Sequence, residues 1–126
     1  LVALNTVKAM AINVETRMPV LSNITGGLSG PAVKPIGLRC VYEIYEKTDI
    51  PIIGVGGILD WRDTLEYVLA GASCVQVGSG LDFMGYSIFE NIKKGLINYI
   101  ETSENNSISD FVGLAHTNKI NTIKTI

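Results

Sequence analysis

Two short stretches of this chain carry residues suited to holding an oxyanion. Gly56 and Gly57 end an apolar run, and Gly78 and Ser79 end another of the same form about twenty residues later. A phosphate is held by several N–H donors converging on its oxygens, and glycine lets the backbone approach without a Cβ in the way. The Ser79 hydroxyl would add one more donor. Each pair alone is also what an ordinary turn after a strand looks like. Their recurrence in consecutive units is what points to a phosphate site after the last strands of a (β/α) barrel.

Two further stretches could meet a ligand. Asn5 and Thr6 follow the apolar run 1–4, and a polar pair at the C-terminal end of a barrel strand is where ligand-facing groups sit. A strand terminus turning through Asn reads equally well from these residues. Residues 23–31 hold Gly26, Gly27 and Gly30 with Thr25 and Ser29, an uncovered backbone suited to an anionic or planar ligand, or else a linker. The chain offers no Ser/His/Asp set, no paired carboxylates on one strand end and no metal-ligand cluster. Acid–base catalysis is therefore not assembled from these residues. Lys34 reads as a solvated or helix-entry charge, and His116, the only histidine, as a surface residue.

The elements that would position these groups follow from periodicity. Residues 51–58 form a short β-branched run broken by glycines, which reads as a fully buried strand. Residues 60–70 are amphipathic and closed by Gly71, a helix, and 74–80 repeat the strand pattern. Residues 11–15 and 18–21 alternate about Thr16 and Arg17, predicting a two-stranded excursion with Pro19 at an edge or strand start. Residues 23–31 read as loop, followed at once by a helix with Pro31 and Pro35 in its first turn and Ile36, Leu38, Val41, Tyr42, Ile44 and Tyr45 along one face. Ile88, Phe89, Ile92, Leu96, Ile97 and Ile100 mark a helix over 87–100. Ser107 with Asp110 forms an N-cap pattern opening a short helix through Leu114. Residues 117–126 lack a period and read as a C-terminal tail after a unit spanning 1–116.

The chain has 126 residues, 47% of them apolar, and net charge −2, an ordinary globular composition with one core. No basic excess points to nucleic acid, and no apolar run approaches a membrane span. Without a signal-peptide pattern the expected location is cytoplasmic. Cys40 and Cys74 have neither metal-ligand nor CxxC spacing and are expected to be buried structural thiols. The opening at 1–5 lies in mid-strand without an initiator methionine, so the sequence is expected to be a fragment.

Taken together, the segments at 4–6, 25–35, 53–57 and 77–79 resemble the dihydroorotate dehydrogenases, most closely the class 1B catalytic subunit. The resemblance runs to about Ala115 with consistent spacing. It implies an α/β fold, the C-terminal part of an FMN-binding (β/α)₈ TIM barrel, about strands 6–8 with their helices. By resemblance Leu4 is an FMN contact, and Asn5 and Thr6 hydrogen-bond the pyrimidine. Gly30 lies against the flavin, and Gly56, Gly57, Gly78 and Ser79 hold the phosphate. The family often has Thr where this chain has Ser79, and both keep the hydroxyl.

The implied activity is oxidation of (S)-dihydroorotate to orotate in pyrimidine biosynthesis, with a base removing the C5 proton as hydride leaves C6 for FMN N5. Electrons would pass to NAD⁺ through a partner subunit carrying FAD and a 2Fe–2S cluster, in an assembly that is also homo-oligomeric. The family's general base is a loop cysteine from the first part of the barrel, and neither Cys40 nor Cys74 matches its motif. No catalytic residue is therefore expected here, and this chain alone is expected to be inactive. Two other readings stay open: a barrel like that of dihydropyrimidine dehydrogenase, and a phosphate-binding half-barrel without redox chemistry.

Overall fold

The computed structural model describes residues 1–117. Its centre is a parallel arrangement of three segments. Strand β5 (Ile53–Val55) pairs in parallel with β6 (Cys74–Gln76), with Ile53 opposite Cys74 and Val55 opposite Gln76. On its other side β5 receives the N-terminal run through one parallel bridge, Val2 to Ile53, closed by Ala3 N–H to the Ile53 carbonyl (3.2 Å) and Ile53 N–H to the Leu1 carbonyl (2.7 Å). Parallel neighbours need a crossover, and helices α1 (Lys34–Tyr45) and α2 (Trp61–Ala70) supply it. The expected pair of successive parallel strands is present. The expected full burial of the first is not: Ile52 and Gly54 are buried, while Ile53 and Val55 alternate with them on a half-exposed face.

Helix α2 shows why its ends could be read from sequence. Asp60 accepts the N–H groups of Arg62 (2.7 Å) and Asp63 (3.0 Å), while Asp63 reaches back to the Asp60 N–H (3.3 Å), a reciprocal capping box. Gly71 closes the helix at φ 117°, a left-handed C-terminal residue. The buried side of α2 places Leu65, Tyr67 and Val68 inward. Tyr67, Ile52, Ile88 and Val41 are the largest fully buried side chains, each contributing roughly 1.5–3 kcal/mol by burial.

Past β6 come a short α3 (Gly80–Met84), which periodicity does not announce, and α4 (Ser87–Glu101). Ile88 and Ile92 of α4 are buried, whereas Phe89 and Ile97 on the predicted apolar face are 48% and 45% exposed. The Ser107–Asp110 capping box forms as expected, but it opens a 3₁₀ turn over Ile108–Phe111. Gly113, at φ 76°, separates that turn from α5 (Leu114–Thr117), so no continuous helix reaches Leu114. Thr117 ends α5, and the rest of the predicted tail, 118–126, lies outside the described residues.

The segment between the N-terminal run and α1 differs most from its sequence reading. Strands β2 (Ile12–Asn13) and β3 (Met18–Pro19) make the predicted antiparallel excursion. The glycine-rich stretch, however, is not all loop. Gly26–Leu28 forms β4, antiparallel to β1 (Val7–Ala9), with Lys8 opposite Gly27. The glycines make this approach possible, since a Cβ on Gly27 would overlap the Thr6 side chain. A 3₁₀ turn, Pro31–Val33, then leads into α1; Pro35 sits in the first turn of α1 as predicted, while Pro31 opens the 3₁₀ turn instead.

Three single-residue expectations are corrected. Cys74 is exposed and Cys40 half-buried, because Cys74 and Gln76 lie on the open side of β6 while Val75 and Val77 pack inward. His116 is no surface residue: only 12% of its side chain is accessible. It stacks on Tyr42 (3.8 Å between centroids) and lies with Nε2 3.0 Å from the Ala70 carbonyl. Lys34 does stand at a helix entry, yet it is ion-paired rather than solvated, as the site geometry shows. Among the described residues no helix is long and apolar enough to cross a membrane.

Candidate cofactor and substrate cleft

The C-terminal ends of the three parallel segments and the turn before α1 converge on one cleft of about 140 Å³. The eight residues assigned by resemblance lie on its wall, whereas Thr25, Gly26 and Gly27 of the glycine-rich stretch do not. Leu4, Asn5 and Thr6 come from the N-terminal run, Gly30 from the turn, Gly56 and Gly57 from the end of β5, and Gly78 and Ser79 from the end of β6. The lining also includes Ser29, named with the glycine-rich stretch, and Val33, Val55, Ile58 and Gly80, which sequence reasoning did not single out. Gly80 stands next to Ser79 and could have been found by extending that motif by one position. Val33, Val55 and Ile58 carry no local signal; they are apolar residues that the fold happens to place at a wall.

The loop after β5 is held in an unusual shape. Gly56 has φ 115° and Gly57 φ 69°, backbone conformations that side-chain-bearing residues rarely adopt. Gly57 also sits against the turn before α1, where a Cβ would come within 2.9 Å of the Gly30 carbonyl and 2.8 Å of Lys34 Cβ. At Gly78 the situation is opposite: a Cβ would meet nothing within 4 Å. Among the described residues the backbone N–H groups of Gly57, Gly78 and Ser79 make no hydrogen bond. An open space beside unengaged N–H groups fits an anionic group such as the FMN phosphate.

The polar end of the cleft is uncharged. Asn5 Oδ1 accepts the Thr6 N–H at 2.7 Å and lies 3.5 Å from Thr6 Oγ1, which fixes the side chain while its NH₂ donates to nothing among the described residues. An amide and a hydroxyl together can donate to and accept from a planar heterocycle. No Asp, Glu, His, Lys, Cys or Tyr lines this cleft, so the described residues place no general base in it. Cys40 on α1 and Cys74 at the start of β6 both lie outside its wall.

Charges stand behind the cleft rather than in it. Lys34 Nζ donates to Asp63 Oδ1 (2.6 Å) and Glu66 Oε1 (3.1 Å), tying the start of α1 to α2. The hydrogen bond to Asp63, reinforced by Glu66, raises the Lys34 pKa against the opposing effect of burial. Burial by itself would push the Asp63 carboxyl up. The Lys34 hydrogen bond and the N–H groups of Leu59 and Asp60 outweigh it and hold the carboxyl below its usual range. Asp63 thereby serves as helix cap and ion-pair partner at once.

Beneath the β5 loop, the Tyr67 hydroxyl lies 2.8 Å from the Gly56 carbonyl and 3.1 Å from that of Val55. Burial pushes the phenol up to about 12, so it stays a donor through the neutral range. Neither Tyr67 nor the Lys34–Asp63 pair was legible as part of the site, because their partners lie in other elements.

The family model described as dihydroorotate dehydrogenase matches residues 1–100. The chain is 49% identical over 113 residues to the catalytic subunit of dihydroorotate dehydrogenase B (NAD(+)) from Pyrococcus horikoshii, covering 90% of this chain and 37% of that protein. It is 51% identical over 114 residues to the subunit of the same name from Thermoplasma acidophilum, covering 90% and 38%. Among solved structures, DHODH from Eimeria tenella in complex with ferulenol superposes with a TM-score of 0.74 at 29% identity, over 91% of this chain and 30% of that one. The chain thus spans little more than a third of the length of the curated relatives it matches. A parallel βα core, a glycine-walled cleft and a family match over most of the sequence lead to one conclusion: the chain belongs to the dihydroorotate dehydrogenase family.

Proposed function

We propose that this chain forms the phosphate side and part of the substrate side of an FMN-dependent dihydroorotate dehydrogenase of the NAD⁺-linked class. In that reading it is about strands 6–8, with their helices, of a (β/α)₈ barrel whose remaining strands come from the rest of the polypeptide. The observation that carries the proposal is the convergence of Leu4, Asn5, Thr6, Gly30, Gly56, Gly57, Gly78 and Ser79 on a single cleft. The relatives' names, catalytic subunits of dihydroorotate dehydrogenase B, support this reading over a dihydropyrimidine-dehydrogenase-like barrel or a half-barrel without redox chemistry.

In this assignment Gly57, Gly78 and Ser79 donate backbone N–H groups, and Ser79 its hydroxyl, to the phosphate. Leu4 and Gly30 pack against the flavin, and Asn5 and Thr6 hydrogen-bond the pyrimidine edge. When bound, FMN supplies the hydride acceptor that oxidises (S)-dihydroorotate to orotate. In this reading the chain's residues bind and orient, and the base that takes the C5 proton belongs to the rest of the barrel. The relatives' names, with their "catalytic subunit" and "NAD(+)", support a partner subunit, which we assign FAD and a 2Fe–2S cluster. A homo-oligomeric, cytoplasmic enzyme completes the reading.

Gly78→Leu in the complete polypeptide tests it. Among the described residues a Cβ there meets nothing within 4 Å, so the substitution should fill the phosphate position without displacing a neighbour in this chain. The wild type should purify yellow, and the variant should bind FMN at least about tenfold more weakly, about 1.4 kcal/mol, with an unchanged melting temperature. A variant that retains stoichiometric flavin would remove this loop from the phosphate site.

A further inference from the structure

We propose that Tyr67 is a positioning residue for the cofactor: its buried hydroxyl holds the Val55–Gly56–Gly57 turn in the shape that presents the Gly57 N–H to the cleft. The inference rests on the FMN assignment above and adds a residue that does not line the cleft.

Successive carbonyls of an extended strand point to opposite sides, so one hydroxyl cannot ordinarily reach two in a row. Here it does, at 3.1 Å and 2.8 Å, because the positive φ of Gly56 swings its carbonyl to the side already taken by that of Val55. A trans peptide directs its N–H opposite to its C=O, and no cis bond occurs among the described residues. Fixing the Gly56 carbonyl on Tyr67 therefore aims the Gly57 N–H away from Tyr67, on the side where the cleft lies. Tyr67 itself is wholly buried, and two glycines make room for it. A Cβ on Gly54 would come within 2.6 Å of the ring, and one on Gly37 would overlap the hydroxyl. The phenol is thus seated from three sides with its hydroxyl aimed at the loop.

A core tyrosine that merely satisfies its own hydroxyl would affect folding stability alone. The test compares Tyr67→Phe with Val41→Ala in the complete polypeptide. The first keeps the ring and removes the hydroxyl; the second truncates an equally buried residue on α1, outside the cleft. FMN affinity is measured by flavin fluorescence well below the melting temperature, with the ³¹P resonance of bound FMN as a second readout. Tyr67→Phe should weaken FMN binding about tenfold and shift the phosphate resonance. Val41→Ala should lower the melting temperature yet leave FMN affinity within about twofold. Wild-type affinity and resonance in Tyr67→Phe would overturn the proposal, as would an equal loss of affinity in Val41→Ala. If Gly78→Leu loses FMN while Tyr67→Phe does not, the cofactor assignment stands and only the positioning role fails. A wild type that binds no FMN overturns both.

Discussion

The βα core beneath the cleft and the antiparallel excursion at residues 7–28 differ in how far the rest of the described chain supports them. The loop after β5 is braced from below by Tyr67, from the side by the Lys34–Asp63 pair, and from behind by the buried Ile52 and Ile58. The antiparallel excursion at residues 7–28 has no such backing. Its Ile12 is 60% exposed, Val14 77%, Met18 62% and Val20 60%, and its ladders are only two or three residues long. Two-stranded ribbons this short are marginal by themselves. An apolar ribbon standing in the open is also a candidate contact surface. The difference teaches where this chain's stability resides: in the βα core under the cleft, while the excursion depends on whatever covers it.

The largest effect that would sharpen this contrast is expected from Tyr67→Ala. Truncating a fully buried aromatic costs about 3–5 kcal/mol, and it leaves the Val55 and Gly56 carbonyls without their donor. Chemical denaturation of the complete polypeptide should show the loss, and a change below about 1 kcal/mol would mean that the core under the cleft is not what holds it. An intermediate effect is expected at the ion pair. Asp63→Asn removes one of the two carboxylates on Lys34, leaving Glu66, and weakens the cap of α2, together about 1–2 kcal/mol by analogy with lost caps and partly buried pairs.

The pH dependence of the same pair has a defined sign. Asp63 is depressed, so its contribution is complete above the ordinary carboxylate value of 3.8 and is lost as pH falls through its lower folded value. Lys34 is raised, so its contribution is complete below 10.5 and is lost as pH rises through its higher folded value. Between those limits the pair should add no slope to stability. A difference between wild type and Asp63→Asn that changes between pH 6 and 8 would contradict the assigned partners. The smallest effect is expected in the excursion. Val14→Ser, at a position 77% exposed, should change stability by no more than about 0.5 kcal/mol. Chemical denaturation should show this small change, and a loss above about 1 kcal/mol would mean that the ribbon carries stability of its own.

What could be read without coordinates was whatever the chain encodes within a few residues. The alternation at 11–21 gave the ribbon, Asp60 and Gly71 bounded α2, and two glycine-ended runs located the cleft, because periods, caps and turns act over neighbouring positions. What only the tertiary structure decided spans longer separations. Whether the glycines at 26–28 are loop or strand depends on Val7, Lys8 and Ala9 arriving opposite them. Whether Lys34 is solvated depends on Asp63, 29 residues on, and His116 is covered because Tyr42 and Tyr45 of α1 come to lie against it. The exposure of Cys74 follows from the open face of β6, which no local pattern specifies. The wall of the cleft was written in its glycines; the bracing behind it, Tyr67 under Gly56 and Asp63 on Lys34, exists only once α1, α2 and β5 pack, since a contact between distant elements is fixed by their packing and not by either sequence alone.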